Sequence, residues 1–313
     1  MIYKCLVLGG DGFIGSHLVE DLLARNLNVR VFEKLENNKL KNLGRVRKKI
    51  DLFFGDFRKK SDLNNAVKEV DFVFHFISLS NPASTVDNAK KDIEDNLINT
   101  INLLDACVKN KVKKIIFPSS GGSIYGTPKE GYAQEESPLN PITPYSINKL
   151  CIEKYLNYYK RYYNLDYVIY RISNAYGERQ TTKGKQGVIP IIMEKVLNNE
   201  TVDLYGNTIR DYIYIKDVTY FIGNNFDKDH KYTEYNLGSG KGLSLFRLVK
   251  LIEKINGAPI KINKLKRRKF DVKKIILDVS RIKNEFDFET KTDIKEGLEK
   301  TFYYIKDGLN NEY

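Results

Sequence analysis

The sequence predicts an α/β protein: a doubly wound parallel sheet followed by a smaller, mixed C-terminal lobe. Three observations predict it. Short apolar runs alternate with amphipathic stretches over roughly the first 170 residues, the pattern of strand–helix–strand units. A glycine-rich turn, Gly9–Gly15, joins the first apolar run to the first helical stretch. After about residue 171 the alternation gives way to loop-like pieces, Gly177–Gly187 and Leu204–Arg210, between shorter elements.

The strands read in order as Tyr3–Leu8, Asn28–Phe32, Ile50–Phe54, Phe72–Phe76, Lys114–Pro118 and Tyr167–Tyr170. They are short and rich in Val, Ile, Phe and Tyr, as strands buried on both faces are. Helices are predicted over Ser16–Arg25, Ser61–Lys68, Asp92–Asn110 and Ser146–Tyr163. In the third of these, Ile93, Leu97, Ile101, Leu104 and Val108 recur at helical spacing. Further helices are expected over Leu243–Ile255 and Ile294–Tyr304, with a basic run, Lys264–Lys269, between them. No Pro/Gly/Ser linker divides the chain. The expected lobes are 1–173, rejoined by about 212–237, and 174–211 with 238–313.

A composition 42% apolar and 29% charged excludes a disordered or collagen-like chain. No apolar run approaches the ~18 residues of a membrane span. The first residues run straight into a strand, so no signal peptide is expected. Cys5, Cys107 and Cys151 are too few and too widely spaced for a disulfide framework or a zinc site, and no metal is expected. A reduced, cytoplasmic protein is the expectation. Lys and Arg number 52 against 40 Asp and Glu, a net charge of +12. That excess suits a nucleic acid, an acidic membrane surface or an anionic small substrate, and the motifs have to choose among them.

Gly9, Gly12 and Gly15 are three apart at the junction of strand and helix. Positions without side chains allow a tight turn, close approach of backbone to a pyrophosphate, and close packing of helix on strand. The amides of Phe13, Ile14 and Gly15 then open a helix whose positive end faces phosphate. The next strand ends in Glu33, about 20 residues on, where a carboxylate accepts hydrogen bonds from a ribose diol and repels a 2′-phosphate. NAD is therefore expected rather than NADP, although Lys34 beside Glu33 weakens the repulsion. Gly55-Asp56-Phe57 follows the third strand, and Asp56 is placed to meet an adenine amine.

Tyr145 and Lys149 stand four apart at the start of a helix, on one face. A free phenol titrates near about 10, too high for a base at neutral pH. An adjacent ammonium favours the phenolate, so the pair is expected to take a proton from a sugar hydroxyl. The preceding strand ends in Ser119-Ser120.

These segments together resemble the extended short-chain dehydrogenase/reductases, specifically the NAD-dependent sugar-nucleotide epimerase/dehydratase family. The matching pieces run nearly end to end: Gly9–Gly15, Asp56-Phe57, Asn96–Leu104, Phe117–Gly126, Asn140–Lys149, Asn174–Gly177, Gly187–Pro190, Arg210–Val218 and Tyr235–Gly240. The resemblance implies Tyr145 as base and Lys149 as its partner and as the contact to the nicotinamide ribose. It implies that Asn174, Val188 and Arg210 contact a UDP-sugar, with Arg268 as a second arginine on the diphosphate. It also implies a homodimer joined by a four-helix bundle of Asp92–Asn110 and Ser146–Tyr163.

The stretch Ser119–Gly126 bears on the reaction. Dehydratases of this family carry an Asp-Glu pair here and related decarboxylases a Glu; Gly121-Gly122 offers neither. The common epimerase form has a hydroxyl at the position of Gly121, which leaves Ser123 or Ser120 to bond the sugar. Tyr125 and Ile275 are expected to line the sugar pocket, with Ile275 bearing on whether a 2-N-acetyl group is admitted. The implied activity is NAD-dependent 4-epimerisation of a UDP-hexose or UDP-N-acetylhexosamine through a transient 4-keto sugar. A one-way 4-ketoreductase, an epimerase of another nucleotide sugar, and a non-catalytic NAD sensor are the alternatives. Under this reading neither nucleic acid nor membrane is a partner. His75 reads as a strand histidine, not a catalytic one.

Overall fold

The computed structural model describes residues 2–34, 40–182, 187–268 and 271–310. The chain begins β1 (Lys4–Leu8), α1 (Phe13–Ala24), β2 (Asn28–Glu33), β3 (Asp51–Phe54), α2 (Lys60–Ala66) and β4 (Phe72–His75). It continues α3 (Ala89–Asp92), a π-helical turn (Ile93–Ile98), α4 (Asn99–Lys109), β5 (Lys114–Ser120), β6 (Tyr132–Ala133), α5 (Pro144–Tyr163), β7 (Asp166–Ile172) and β8 (Asn174–Tyr176). Then come α6 (Val188–Leu197), β9 (Val202–Tyr205), β10 (Ile209–Tyr214), α7 (Ile215–Asn225), β11 (Glu234–Leu237) and β12 (Gly242–Ser244). It ends α8 (Leu245–Asn256), β13 (Ile262–Leu265), β14 (Lys274–Leu277), α9 (Ser280–Phe286) and α10 (Ile294–Asn310).

A seven-stranded sheet has the order β11-β7-β5-β4-β1-β2-β3. Strands β1 to β5 pair in parallel, which makes this the doubly wound sheet that the alternation predicts. Register matters for function. Leu8 is flanked by Phe32 on one side and His75 on the other. The carboxyl ends of β1, β2 and β4 therefore share one edge, where such sheets bind ligands. One contiguous core, from Leu6 and Phe32 through Leu103 and Phe117 to Ile152 and Ile169, fixes the sheet and its helices.

The chain divides into two compact units: 1–119, 143–170 and 219–234 form the first, and 120–142, 171–218 and 235–313 the second. Segment 120–142 thus lies in the second unit, where the sequence places it in the first lobe. The cause is local: β6 pairs with β14, and Ile124, Tyr125 and Ala133 pack on Val272, Ile275 and Leu277. The second unit holds a five-stranded sheet, β12-β10-β14-β6 with β8 on β10, and a two-stranded one, β13-β9. The predicted helix Asp92–Asn110 opens on a π-helical turn, Ile93–Ile98, which joins α3 to α4.

Candidate active site

In the first unit the glycine loop is tied to the sheet and to itself. The Gly9 amide donates to the Phe32 carbonyl at 3.2 Å, Gly12 to Gly9 at 3.1 Å, and Ser16 to Gly12 at 3.0 Å. Gly9 has φ +75°, and a Cβ there would meet the Ile77 amide at 3.0 Å. A Cβ on Gly15 would lie 2.1 Å from the Gly9 carbonyl oxygen, so only glycine lets α1 pack this close. A Cβ on Gly12 would meet nothing but that same carbonyl within 4 Å. Its open side and the uncapped amides of Phe13, Ile14 and Gly15 at the start of α1 fit a pyrophosphate. This loop and Glu33 together fit NAD.

Glu33 ends β2 and accepts the Asp11 amide at 2.6 Å. Burial, with repulsion from the Asp11 carboxylate, pushes it up to about 7. Asp11, which sequence reasoning passed over, is the clamp of this corner. Its carboxylate accepts the amides of Lys41 (2.6 Å), Asn42 (2.8 Å) and Leu43 (2.9 Å). Asp56 accepts the Arg58 amide in a local turn, while Phe57 is buried in the core beside the His75 ring.

Helix α5 positions Tyr145 and Lys149. Thr143 and Ser146 cap each other's amides, and Pro144 is preset for the first helical position. Tyr145 therefore sits in the first turn of a helix that starts at Pro144, two residues before the predicted start at Ser146. Lys149 is buried, donates to the Pro118 carbonyl at 3.0 Å, and lies 5.8 Å from the centroid of the Tyr145 ring. Burial pulls Lys149 down to about 8, against the opposing pull of Glu153 and Asp92. Burial and the Asp92 carboxylate push Tyr145 up to about 12. That direction is opposite to the one expected from Lys149 alone, because desolvating a phenolate outweighs a neighbouring ammonium that is itself desolvated. Both residues line one cavity with His75, Asp92, Asn96 and Asn148. His75 is buried and bonded to the Thr100 hydroxyl at 2.8 Å. Burial holds it near 3, so it stays neutral.

In the second unit, Ser123 donates to Ser120 at 2.8 Å, oxygen to oxygen, so the two candidate hydroxyls form one pair. A Cβ on Gly122 would meet only Asn174, at 3.6 Å, and Asn174 is held by its bond to the Asp211 carbonyl at 3.0 Å. Asp211 is a missed organiser. Its carboxylate accepts from Ser239, Gly240 and Leu277, fixing β10 and so Arg210 next to it. Burial lowers the Arg210 guanidinium, with Arg267 repelling and Asp271 attracting it. Arg268 pairs with Asp271 at 3.1 Å and lies 4.5 Å over the Tyr205 ring. Lys269 and Phe270, the middle of its motif, lie outside the described residues. Val188 is exposed at the first position of α6.

Two expected pocket residues are elsewhere. Tyr125 is 1% exposed, its hydroxyl donating to Asn236 at 2.7 Å and receiving Arg171 at 3.0 Å. Ile275 is also 1% exposed, in the same core cluster. Both side chains serve packing, with no surface left for a sugar to touch.

A doubly wound fold with a glycine-loop helix terminus and a Tyr–Lys pair lining a cavity beside the end of β4 defines a dinucleotide-binding enzyme of the short-chain dehydrogenase/reductase type. Within that class the chain belongs to the NAD dependent epimerase/dehydratase family, whose model matches residues 5–238. It is 30% identical to a UDP-glucose 4-epimerase of Mycolicibacterium smegmatis, over 97% of this chain and 98% of that one. Among solved structures it resembles the Thermotoga maritima UDP-glucose 4-epimerase with UDP-glucose, at TM-score 0.91 and 33% identity, covering 98% and 99% of the two chains. It also resembles a UDP-N-acetylglucosamine 4-epimerase of Methanobrevibacter ruminantium in complex with UDP-N-acetylmuramic acid, at TM-score 0.89, 28% identity and coverage of 98% and 99%. No described helix is long and apolar enough to cross a membrane.

Proposed function

We propose that the protein is an NAD-dependent 4-epimerase of a UDP-sugar. The observation that carries the reading is the Tyr145–Lys149 pair lining one cavity, in a chain whose relatives named as UDP-glucose 4-epimerases match it end to end. NAD, when bound, supplies reversible hydride acceptance. Gly9, Gly12, Phe13, Ile14 and Gly15 would hold its pyrophosphate, Glu33 its adenosine ribose, and Asp56 and Phe57 its adenine. Tyr145 takes the proton of the sugar 4-hydroxyl. Lys149 and the amides of the first turn of α5 stabilise the phenolate that accepts it. Ser120 and Ser123 relay hydrogen bonds to the sugar oxygen. Asn174, Val188, Arg210 and Arg268 hold the nucleoside diphosphate, the arginines through planar forks suited to phosphate. The 4-keto sugar turns over while the nucleotide stays held, presenting the other face of C4 for reduction, and the same phenol returns the proton to the 4-oxygen.

The test is incubation of the purified protein with UDP-glucose, UDP-N-acetylglucosamine and their uronic forms, followed by product analysis without added NADH. Reversible inversion at C4 of at least one is expected. Tyr145→Phe should lower turnover by about 10²-fold or more, the scale of general acid–base catalysis. Wild-type turnover in that variant would overturn the assignment.

We further propose a cytoplasmic homodimer joined through α4 and α5. Tyr155, Tyr158 and Tyr162 are exposed on α5, Tyr162 at 66%, and Ile93 and Ile98 are exposed just before α4. Light scattering at micromolar protein should give twice the 36.2 kDa chain mass; a monomer would refute the dimer.

A further inference from the structure

An aspartate inside a loop that fits a pyrophosphate adds negative charge beside an anionic ligand, which weakens binding unless that charge is taken up elsewhere. Asp11 stands between Gly10 and Gly12. It ties three pieces of the first unit together. Its amide donates to Glu33 Oε1 at 2.6 Å, at the end of β2. Its carbonyl accepts the side-chain amide of Asn42 at 2.6 Å. Its carboxylate accepts three successive backbone amides: Lys41 on Oδ2 at 2.6 Å, and Asn42 and Leu43 on Oδ1 at 2.8 and 2.9 Å. Successive amides that converge in this way form an anion-binding concavity, and here the chain fills it with its own carboxylate. The charge is thereby matched by donors of segment 41–43. That segment is anchored in turn. Leu43 is fully buried, and its carbonyl takes the Val46 amide at 3.0 Å.

The bonds that close the glycine turn itself, Gly9 to Phe32, Gly12 to Gly9 and Ser16 to Gly12, do not involve Asp11. The turn can therefore form without it. What Asp11 adds is a fixed relation between the turn, the Glu33 carboxylate and segment 41–43. We propose that Asp11 is a positioning residue for the cofactor: by tying the glycine loop to Glu33 and to Lys41–Leu43, it sets the site for the adenosine half of NAD in its binding form before the cofactor arrives. A site ordered in advance loses less affinity to ordering on binding. The inference rests on the reading of this loop and Glu33 as the NAD site.

The test is calorimetric titration of the cofactor-free protein with NAD and with ADP-ribose, which lacks the nicotinamide. The native chain is compared with Asp11→Ala, Asp11→Asn and Asn42→Ala. Asp11→Ala should weaken both ligands by the same factor, about 10-fold or more, the scale of one charge-assisted hydrogen bond. Asp11→Asn keeps one carbonyl oxygen for the amides but turns an N–H group toward one of them, so it should fall between native and alanine. Asn42→Ala keeps the carboxylate and removes one side-chain bond, so it should weaken both ligands by a smaller factor. Should Asp11→Ala not fold, Asp11→Asn and Asn42→Ala carry the same comparison. Thermal unfolding without cofactor separates stability from binding. A lowered midpoint with the affinities of NAD and ADP-ribose within about twofold of native would reduce Asp11 to a structural role. A loss seen for NAD and not for ADP-ribose would place the effect outside the adenosine half and overturn the proposal as well. If the native chain binds neither ligand at millimolar concentration, the reading of the site as that of NAD fails instead, a result seen before any substitution is made.

Discussion

Gly121 and Gly122 look alike in the sequence and differ in what surrounds them. A Cβ on Gly121 would meet Leu277 at 2.5 Å and the Arg171 carbonyl at 2.8 Å. A hydroxyl residue there would press on the Arg171 carbonyl of β7 and force the Leu277 side chain aside, which supports the proposal that the Ser120–Ser123 pair takes the hydroxyl role. Gly122 faces only Asn174 at 3.6 Å. Gly121→Ser should therefore cost about 1–3 kcal/mol by overpacking, while Gly122→Ser should stay within about 0.5 kcal/mol. Denaturant unfolding of the two variants checks the contrast, and equal losses would contradict it. The same distinction bears on Tyr125 and Ile275, both of which are buried. Tyr125 and Ile275 sit in motif-bearing stretches, but whether an aromatic or aliphatic side chain faces a ligand or a core is decided by the opposing elements. Here both belong to one core cluster with Ile124, Ala133, Val272 and Leu277, with Arg171 and Asn236 on the Tyr125 hydroxyl.

At the scale of elements, most of the first unit was legible. Period and composition placed β1, β2, β4 and β5 to within about two residues of where they lie, because a strand buried on both faces has no other use for such apolar runs. The start of α5 was missed although its signal was present: Thr143 and Ser146 three apart with Pro144 between them is a capping pattern. The cap bears on function as well as stability, since it fixes the first turn that carries Tyr145. Thr143→Ala should cost about 1 kcal/mol of stability and lower kcat more than it raises KM, because fraying displaces the phenol before it affects nucleotide binding. Thermal unfolding and steady-state kinetics together test this; an unchanged kcat would detach the cap from catalysis. The break in the predicted helix at Ile93–Ile98 had no periodic signal, because its apolar spacing continues through the turn. What forms it is a set of side-chain donors, Asn99 and Thr100, whose targets are backbone carbonyls. Asp11 was unreadable for a related reason: its partners, Glu33 and the amides of Lys41–Leu43, are brought to it only by the fold.

For the whole molecule, the +12 charge is less informative than two groups, one buried and one half-buried, that titrate abnormally. The net charge is spread over 52 basic residues, of which the proposed phosphate contacts use Arg210 and Arg268. His75 and Glu33, in contrast, link folding to pH in opposite senses. His75 is lowered from 6.5 to about 3. The unfolded chain thus takes up a proton that the folded one refuses, and stability present above pH 6.5 is lost as pH falls toward 3. Glu33 is raised from 4.5 to about 7. The folded protein therefore binds a proton that the unfolded chain gives up, and stability is gained as pH falls from 7 to 4.5. Over pH 6.5 to 4.5 the two slopes, each at most about 1.4 kcal/mol per unit for one proton, oppose one another, and the loss belongs to His75 alone below 4.5. The cofactor-free protein should accordingly show little change in thermal midpoint from these groups between pH 6.5 and 4.5, then a fall. Glu33→Gln removes the gain and should expose a decline that starts near pH 6.5. His75→Phe removes the loss and should leave a midpoint that rises as pH drops through the same window. Both variants tracking the native curve across that range would mean that neither group is held as far from its ordinary titration as its burial implies.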